Sequence, residues 1–275
     1  MTSSLYDPIQ LDRLRELTGV DSQPTTYSAL ESAVSAFMSK VPFENISKLY
    51  YFHEEGLRDV PDLKKYIDGI EQHNFGGTCY SNNRYVNGLL NHLGYDAILC
   101  GADMNKPDVH MVNVVRLEGR EFLVDAGYAA PFLRPLPLDS PRYIVIESGR
   151  DRYELKPRDN NGHSRMDLIR EGELSHGYTV KPTPREPGHF DEIVLDSFRP
   201  DSTFLNSLLL VRFWPGKAKA VHNLNFFETT GTEYSKSELP DRQSLIGAIV
   251  EHFEMPADVV ERAVSNLNSF GDSWT

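Results

Sequence analysis

Cysteine is scarce: the 275-residue chain has two, Cys79 and Cys100. They are too far apart for a CxxC or Cys/His zinc spacing, and two thiols build no disulfide scaffold. Long apolar runs are also missing. The greasiest stretch, 207–214, is interrupted by Arg212 and is far too short to cross a bilayer. The amino terminus, MTSSLYDPIQ, lacks the basic-then-apolar layout of a signal peptide. Positive charge is in deficit, with 28 Lys and Arg against 40 Asp and Glu, a formal net charge of −12. That balance disfavours nucleic acid as the main partner, because phosphate binding needs a field of Lys and Arg. It leaves room for a small anionic ligand on a local basic patch. No Walker or Rossmann glycine pattern occurs, HExxH is absent, and His53 and His222 lack metal-ligand partners at useful spacing. No metal is expected. These absences describe a soluble, cytoplasmic protein without a membrane partner, in a reducing compartment where a free thiol can serve as a nucleophile.

Hydrophobic residues make up 40% and aromatics 11%, enough for a real core in one large or two to three small domains. The first third reads as mostly helical. Asp7-Pro8 opens an amphipathic helix ending near Gly19, and Thr26 opens another that Pro42 stops. Further helices are expected over 61–72, with Pro61 in the first turn, and over 79–93. From Tyr95 to about Leu195 the texture is β-rich: DAILCGA, HMVNVVRL, EFLVDAGY, RYIVIES, YELK and EIVL, separated by turn residues. This region predicts an antiparallel sheet or small barrel, with a polar turn at 158–165. Helical signals return at 201–210, 240–254 and 256–268.

Phe75-Gly76-Gly77-Thr78-Cys79-Tyr80 could carry chemistry. The glycines allow a tight turn, and Thr78 is placed to cap a helix starting at Cys79. A thiol at a helix N-terminus meets the positive end of the dipole, which favours thiolate. The unpaired N–H groups there could form an oxyanion hole. Alone, the segment is equally compatible with an inert buried cysteine.

The run from His110 to Tyr128 reads as a hairpin turning at Glu118-Gly119. Pairing Leu117 with Arg120 sets Arg116 opposite Glu121, an opposite-charge pair that supports the register. Val114 then faces Leu123, and Val112 faces Asp125. His110 and Asp125 become diagonal neighbours on one face, roughly 7–8 Å apart at Cα, near enough for leaning side chains to bond. A one-residue slip puts them on opposite faces. Singly, His110 is an ordinary strand-end histidine and Asp125 an ordinary turn aspartate. Jointly with Cys79 they give a thiol to be acylated, a base to hold it as thiolate and an acid to orient the base.

At this point the chain resembles the arylamine N-acetyltransferases. Val41-Pro42-Phe43-Glu44-Asn45-Ile46-Ser47 is similar to that family's VPFEN(L/I)S segment. Gly76-Gly77-Thr78-Cys79-Tyr80 resembles RGGxCF, with a matching Asn83 just beyond. His110-Met111-Val112, Val124-Asp125-Ala126-Gly127-Tyr128 with Pro135-Leu136 to Leu138, and Pro200-Asp201-Ser202-Thr203-Phe204 follow in family order. One motif is weak, whereas five in order are specific. The resemblance implies an α+β fold with a helical bundle over 1–94 carrying Cys79. A β-barrel over 95–195 would carry His110 and Asp125, and an α/β lid would span 196–275, around a cysteine-protease-like core. It implies that Cys79 takes acetyl from acetyl-CoA as a thioester, paired with His110, which Asp125 orients. Transfer to an arylamine, arylhydrazine or N-hydroxyarylamine would follow by a ping-pong mechanism. Phe43, Val109 and Tyr128 are candidates for the aromatic substrate wall, with plain core packing equally open to them.

Three positions depart from the family pattern. Its usual Arg before the two glycines is Phe75, the residue two after the cysteine is Ser81 rather than Glu, and Ala129 replaces a glycine. Phe75 removes an ion pair and implies replacement by packing. Ala129 bears on the acceptor pocket or on a loop against CoA. CoA, as co-substrate, needs local positive charge on this acidic chain. Lys106, four residues before His110, and the group Arg212, Lys217 and Lys219 are candidates, with Phe204 as a further CoA contact. Cys100 sits in an apolar run and reads as core. Competing readings are a thiol hydrolase or amidase on the same triad, an amide synthase with another acyl donor, and an inactive binding module, which the intact triad argues against. The sequence leaves the oligomeric state open.

Overall fold

Asp7 accepts the Ile9 N–H, Pro8 supplies a preset first turn, and Gly19 in the left-handed region closes the helix (α1, Pro8–Thr18). Thr26 caps α2 (Tyr27–Lys40) in the same way through the Ala29 N–H. The computed structural model describes residues 6–267 and 270. After α2 the chain runs through β1 (Phe43–Glu44), α3 (Ile46–Glu55), α4 (Leu63–His73) and α5 (Cys79–His92). The expected helix over 61–72 begins later. Asp62 is its cap, accepting the Lys65 N–H, so Pro61 precedes the helix. Helix α3 was not anticipated.

An antiparallel sheet of eight strands follows: β2 (Asp96–Asp103), β3 (His110–Leu117), β4 (Arg120–Val124), β5 (Leu136–Pro137), β6 (Ile144–Ser148), β7 (Asp151–Leu155), β8 (Ser164–Arg170) and β9 (Glu173–Pro184), in the order β5-β4-β3-β2-β9-β8-β7-β6. The sheet curls toward a barrel. Leu136 and Leu138 at one end share a buried cluster with Tyr153 and Leu155 near the other. The β3–β4 register is the expected one, with Leu117 opposite Arg120, Arg116 opposite Glu121 and Val114 opposite Leu123. The ladder ends at Asn113 opposite Val124, so Val112 and Asp125 lie beyond it. DAGY is therefore a loop, not strand.

The EIVL run is helix, not strand: α6 (Asp191–Asp196) follows a 3-10 turn at Pro187–Phe190. The helical signal at 201–210 shrinks to α7 (Thr203–Asn206). A second sheet joins β1 to β10 (Leu209–Trp214), β11 (Lys217–His222), β12 (Asn225–Thr230) and β13 (Glu233–Glu238) in that order. Helices α8 (Arg242–Phe253) and α9 (Ala257–Ser265) pack on it through Ile249, Phe253 and Val260, with Leu210 and Val221 in the same core. The last expected helix, 256–268, stops at Ser265, and residue 268 lies outside the described residues. No helix of the described residues is long and apolar enough to cross a membrane.

The VPFEN segment ties these parts together. Phe43 pairs with Val211 of β10 and bridges Gly77. Asn45 is fully buried. Its amide donates to the Phe204 and Ser207 carbonyls at 3.0 and 2.8 Å and accepts the Leu209 N–H at 2.8 Å.

Candidate active site

Cys79 opens α5, where the first N–H groups of a helix lack intrahelical partners and the dipole is positive. Thr78 occupies the cap position but makes no side-chain cap bond, contrary to the expected role. Its carbonyl instead accepts the Ser81 and Asn82 N–H groups. The two glycines before it are sterically required. A Cβ on Gly76 would lie 1.9 Å from the Pro42 carbonyl oxygen. The same holds across the cleft, where a Cβ on Gly127 would lie 2.4 Å from the Cys79 Cα.

His110 starts β3, and Asp125 follows β4 directly. Both are 1% exposed. His110 Nε2 and Asp125 Oδ2 are 2.8 Å apart, which leaves the other imidazole nitrogen free to serve Cys79, whose influence on His110 helps raise its pKa. Asp125 is held by three further donors. Tyr178 Oη donates to Oδ2 at 2.7 Å, while Asn83 Nδ2 and the Gly127 N–H donate to Oδ1 at 2.8 and 2.9 Å. Burial opposes its ionisation, yet His110 and these hydrogen bonds hold its carboxyl below the usual range. Burial likewise opposes an imidazolium at His110. The Asp125 carboxylate and Cys79 outweigh it and raise the pKa to about 10. The arrangement holds a protonated imidazole between a carboxylate and a sulfur, which suits nucleophilic catalysis through a thiolate.

Asn83 fixes the relative placement of helix and sheet. Its Nδ2 also donates to the Met111 carbonyl at 2.6 Å, and its Oδ1 accepts the Ala126 N–H at 2.9 Å. Sequence reasoning noted Asn83 as a family match without this role, and it missed Tyr178. Nothing near either half of the triad in sequence signals Tyr178, which comes from β9.

The other expected residues fall differently. Tyr128 lies beside the triad, its ring 5.8 Å from that of His110, and its hydroxyl pairs with His176 Nδ1 at 2.9 Å. The Val109 carbonyl accepts the Tyr80 hydroxyl at 2.8 Å, which anchors the approach to His110. The Phe43 ring packs 5.9 Å from that of Phe204, bringing an expected substrate residue and an expected CoA residue together. Lys106 is exposed on the loop before His110. Arg212 is buried, donates to the Phe253 carbonyl at 3.2 Å and is committed to the fold, so it leaves the candidate basic patch. Lys219 lies 3.3 Å from His252 Nδ1. Cys100 is fully buried, and burial pushes its thiol up to about 12. Among the described residues no cluster of His, Cys, Asp and Glu could hold a metal.

A profile of the N-acetyltransferase family matches residues 26–261. Arylamine N-acetyltransferase 1 of Oryctolagus cuniculus is 27% identical over 194 residues, 66% of this chain and 56% of that protein. Proansamycin X synthase of Amycolatopsis mediterranei is 41% identical over 135 residues, 45% of this chain and 49% of that protein. The chain thus spans about half the length of these curated relatives. Among solved structures, the Mycobacterium marinum arylamine N-acetyltransferase in complex with CoA superposes with a TM-score of 0.77 at 21% identity, over 94% of this chain and 98% of that one. That likeness covers the helices, the curled sheet and the second sheet alike, so the α+β architecture is that of these enzymes. With a family profile covering most of its length, the chain belongs to the arylamine N-acetyltransferase family.

Proposed function

We propose that the chain transfers an acetyl group from acetyl-CoA to the nitrogen of an arylamine, arylhydrazine or N-hydroxyarylamine, by a ping-pong mechanism through a Cys79 thioester. The observation that carries this reading is the buried His110–Asp125 pair, 2.8 Å apart, together with a thiol at a helix N-terminus that bears on the imidazole.

In the first half-reaction Cys79 Sγ attacks the thioester carbonyl of the donor. The bond from carbonyl carbon to CoA sulfur breaks, and the departing sulfur takes the proton that His110 held. In the second half-reaction the amine nitrogen attacks the acyl carbon, the bond to Cys79 breaks, and His110 accepts the amine proton. Asp125 keeps the imidazole in the orientation both steps need. Tyr128 and Phe43 would form the aromatic side of the acceptor site, and Lys106 would meet the anionic CoA.

Mixing the protein with acetyl-CoA alone and recording intact mass tests the reading. An adduct of about 42 Da that is absent in Cys79→Ala is the expected result. A folded protein that forms no adduct would refute it. A second reading is an amide synthase taking a different acyl group, and the likeness to a protein named as a synthase, Proansamycin X synthase, supports it. That reading predicts sluggish acetylation of Cys79 and faster acylation by a bulkier thioester.

A further inference from the structure

Asp108 stands two residues before His110 and has no part in the chemistry above. Its backbone adopts a φ of +54°, a region that an L side chain enters at a cost. The other described non-glycine residues in that region close helices, as Asn74 and Glu254 do, or occupy two-residue hairpin turns, as Glu118, Glu171 and Asn223 do. Asp108 does neither. It lies in the loop between β2 and β3, just before the strand that carries His110.

Its side chain is buried, and a notch in the sheet is shaped to take it. Strand β9 bulges where it passes β2. Ala102 faces Val180 and Cys100 faces Pro184, so Gly101 alone stands opposite residues 181–183. A Cβ on Gly101 would lie 2.2 Å from Asp108 Oδ1. The bulge brings Lys181 Nζ to 2.8 Å from that oxygen and to 2.6 Å from Asp103 Oδ1. His189 Nε2, from the 3-10 turn after β9, pairs with Asp108 Oδ2 at 2.9 Å, and an Arg185 nitrogen lies 3.5 Å from the same atom. Asp103 also accepts the Asp108 N–H at 2.9 Å. Burial opposes ionisation of Asp108, but Lys181 and His189 outweigh it and hold the carboxyl below its usual range.

These contacts bear on His110 because its own strand holds it at one edge only. His110 is the terminal residue of the β2–β3 ladder, opposite Ala102, and the β3–β4 ladder stops at Asn113. Its ring meets Asp125 through one hydrogen bond, a pivot that sets the ring's direction only if the main chain is fixed too. The chain just before it is fixed on two sides. Asp108 ties it to β9 and to the 3-10 turn. The Val109 carbonyl accepts the hydroxyl of Tyr80, the residue after Cys79, at 2.8 Å. The circuit closes through Phe190, the neighbour of His189, whose ring lies 6.5 Å from that of Tyr80. We propose that Asp108 is a positioning residue: clamped by Lys181 and His189 in the β9 bulge, it fixes the entry into β3 so that the imidazole of His110 is aimed at Cys79. It acts through the main chain of Val109 and His110 and touches no reacting atom. The inference rests on Cys79 being the acylated residue.

The test separates charge from backbone shape. Asparagine tolerates positive φ as aspartate does, so Asp108→Asn keeps the loop's conformation and removes the ion pairs. Acylation of the full chain by acetyl-CoA is followed by intact mass without any acceptor, over a range of donor concentrations. The saturating rate should fall about tenfold or more, with the half-saturating concentration changed by less than about twofold. Lys181→Met removes the same contact from the other side and should slow acylation in the same way. The double variant should be no slower than Asp108→Asn, because both changes act through one carboxylate. Glu171→Ala is the control, in an exposed hairpin turn of positive φ: its melting temperature should drop and its rate should not. Should Asp108→Asn fail to fold, Lys181→Met decides alone. Acylation within about threefold of the unmodified chain by a folded variant overturns the role. So does a loss confined to the half-saturating concentration, which makes the loop a donor contact instead. Fully additive losses in the double variant, or an equal loss in Glu171→Ala, overturn it as well. No adduct from the unmodified chain sinks the underlying acyl-enzyme reading instead.

Discussion

Replacing Gly127 with alanine adds a single methyl group at the closest approach of sheet to helix in the site. The new Cβ would lie 2.4 Å from the Cys79 Cα, 2.5 Å from Asn83 Nδ2 and 2.8 Å from the Cys79 Cβ. All three neighbours are backbone or tightly held: Asn83 is bonded to Asp125 and to the Met111 carbonyl, so none can swing away. Reaching ordinary contact requires the Asp125 loop and the start of α5 to separate by about 1 Å, and a misplacement of that size costs on the order of a hundredfold in rate. Overpacking of this kind also costs about 1–3 kcal/mol of stability. The acylation rate of Cys79 by acetyl-CoA, from intact mass, should fall about a hundredfold, with a melting temperature several degrees lower. Gly247 in α8 is the control, since nothing lies within 4 Å of a Cβ added there. Gly247→Ala should leave the rate alone and add up to about 1 kcal/mol through helix propensity. If Gly127→Ala acylated within about threefold of the unmodified chain, the claim that this contact sets the thiol against the His110–Asp125 pair would be refuted.

Asp125→Asn keeps the size of the side chain but turns an N–H₂ group toward donors. The acceptor for His110 and Tyr178 is lost, and acylation should drop about a thousandfold, measured by the same adduct. The raised pKa of His110 sets a sign for stability. Its contribution is complete below its ordinary value of 6.5 and is lost as pH rises through about 10, so the melting temperature should decline across that window. His110→Gln should flatten that decline. Cys100, fully buried with its thiol pushed up to about 12, should resist iodoacetamide in the native protein and react after unfolding, as peptide mapping would show. Asn45→Ala removes three hydrogen bonds from a fully buried side chain to the segment 204–209 and should destabilise by about 3 kcal/mol or more in a denaturant titration.

The parts of the fold that read correctly from sequence are those written in local chemistry. Glu118 and Gly119 both adopt positive φ, as a tight hairpin turn demands, and the Arg116–Glu121 pair closes at 3.1 Å. That register brings the ends of β3 and β4 together, and Asp125, one residue past β4, reaches His110 from the loop. The misreadings have specific causes. Helix α3 escaped because Asn45, its cap residue, makes no cap bond, its side chain being engaged with Phe204, Ser207 and Leu209 instead. EIVL was read as strand from its β-branched run, but Phe190, Val194 and Phe198 recur at helical spacing and all pack around Cys79. The signal was present at a period that a four-residue window does not show. Tyr178 was illegible in a stronger sense, because its role exists only once β9 lies beside β2.

The departure at Phe75 was expected to be absorbed by packing, and the structure shows how. Phe75 sits among Tyr50, Tyr51 and His73, edge-on to Tyr51 at 5.7 Å and 88°. Glu44, the acidic residue of VPFEN, is fully buried, with no cation among the groups that set its ionisation, and burial raises its pKa. Its oxygens accept the Ser47 N–H at 2.8 Å and the Gly76 N–H at 3.0 Å. Those bonds hold the turn that delivers Cys79, and a carboxyl group can accept them whether or not it carries charge. Supplying an arginine would require desolvating a second ion to stabilise the first. An aromatic box beside a carboxyl tied to two backbone donors avoids that cost and leaves the glycine turn in place. The substitution therefore changes the support beneath Cys79 without reaching His110 or Asp125.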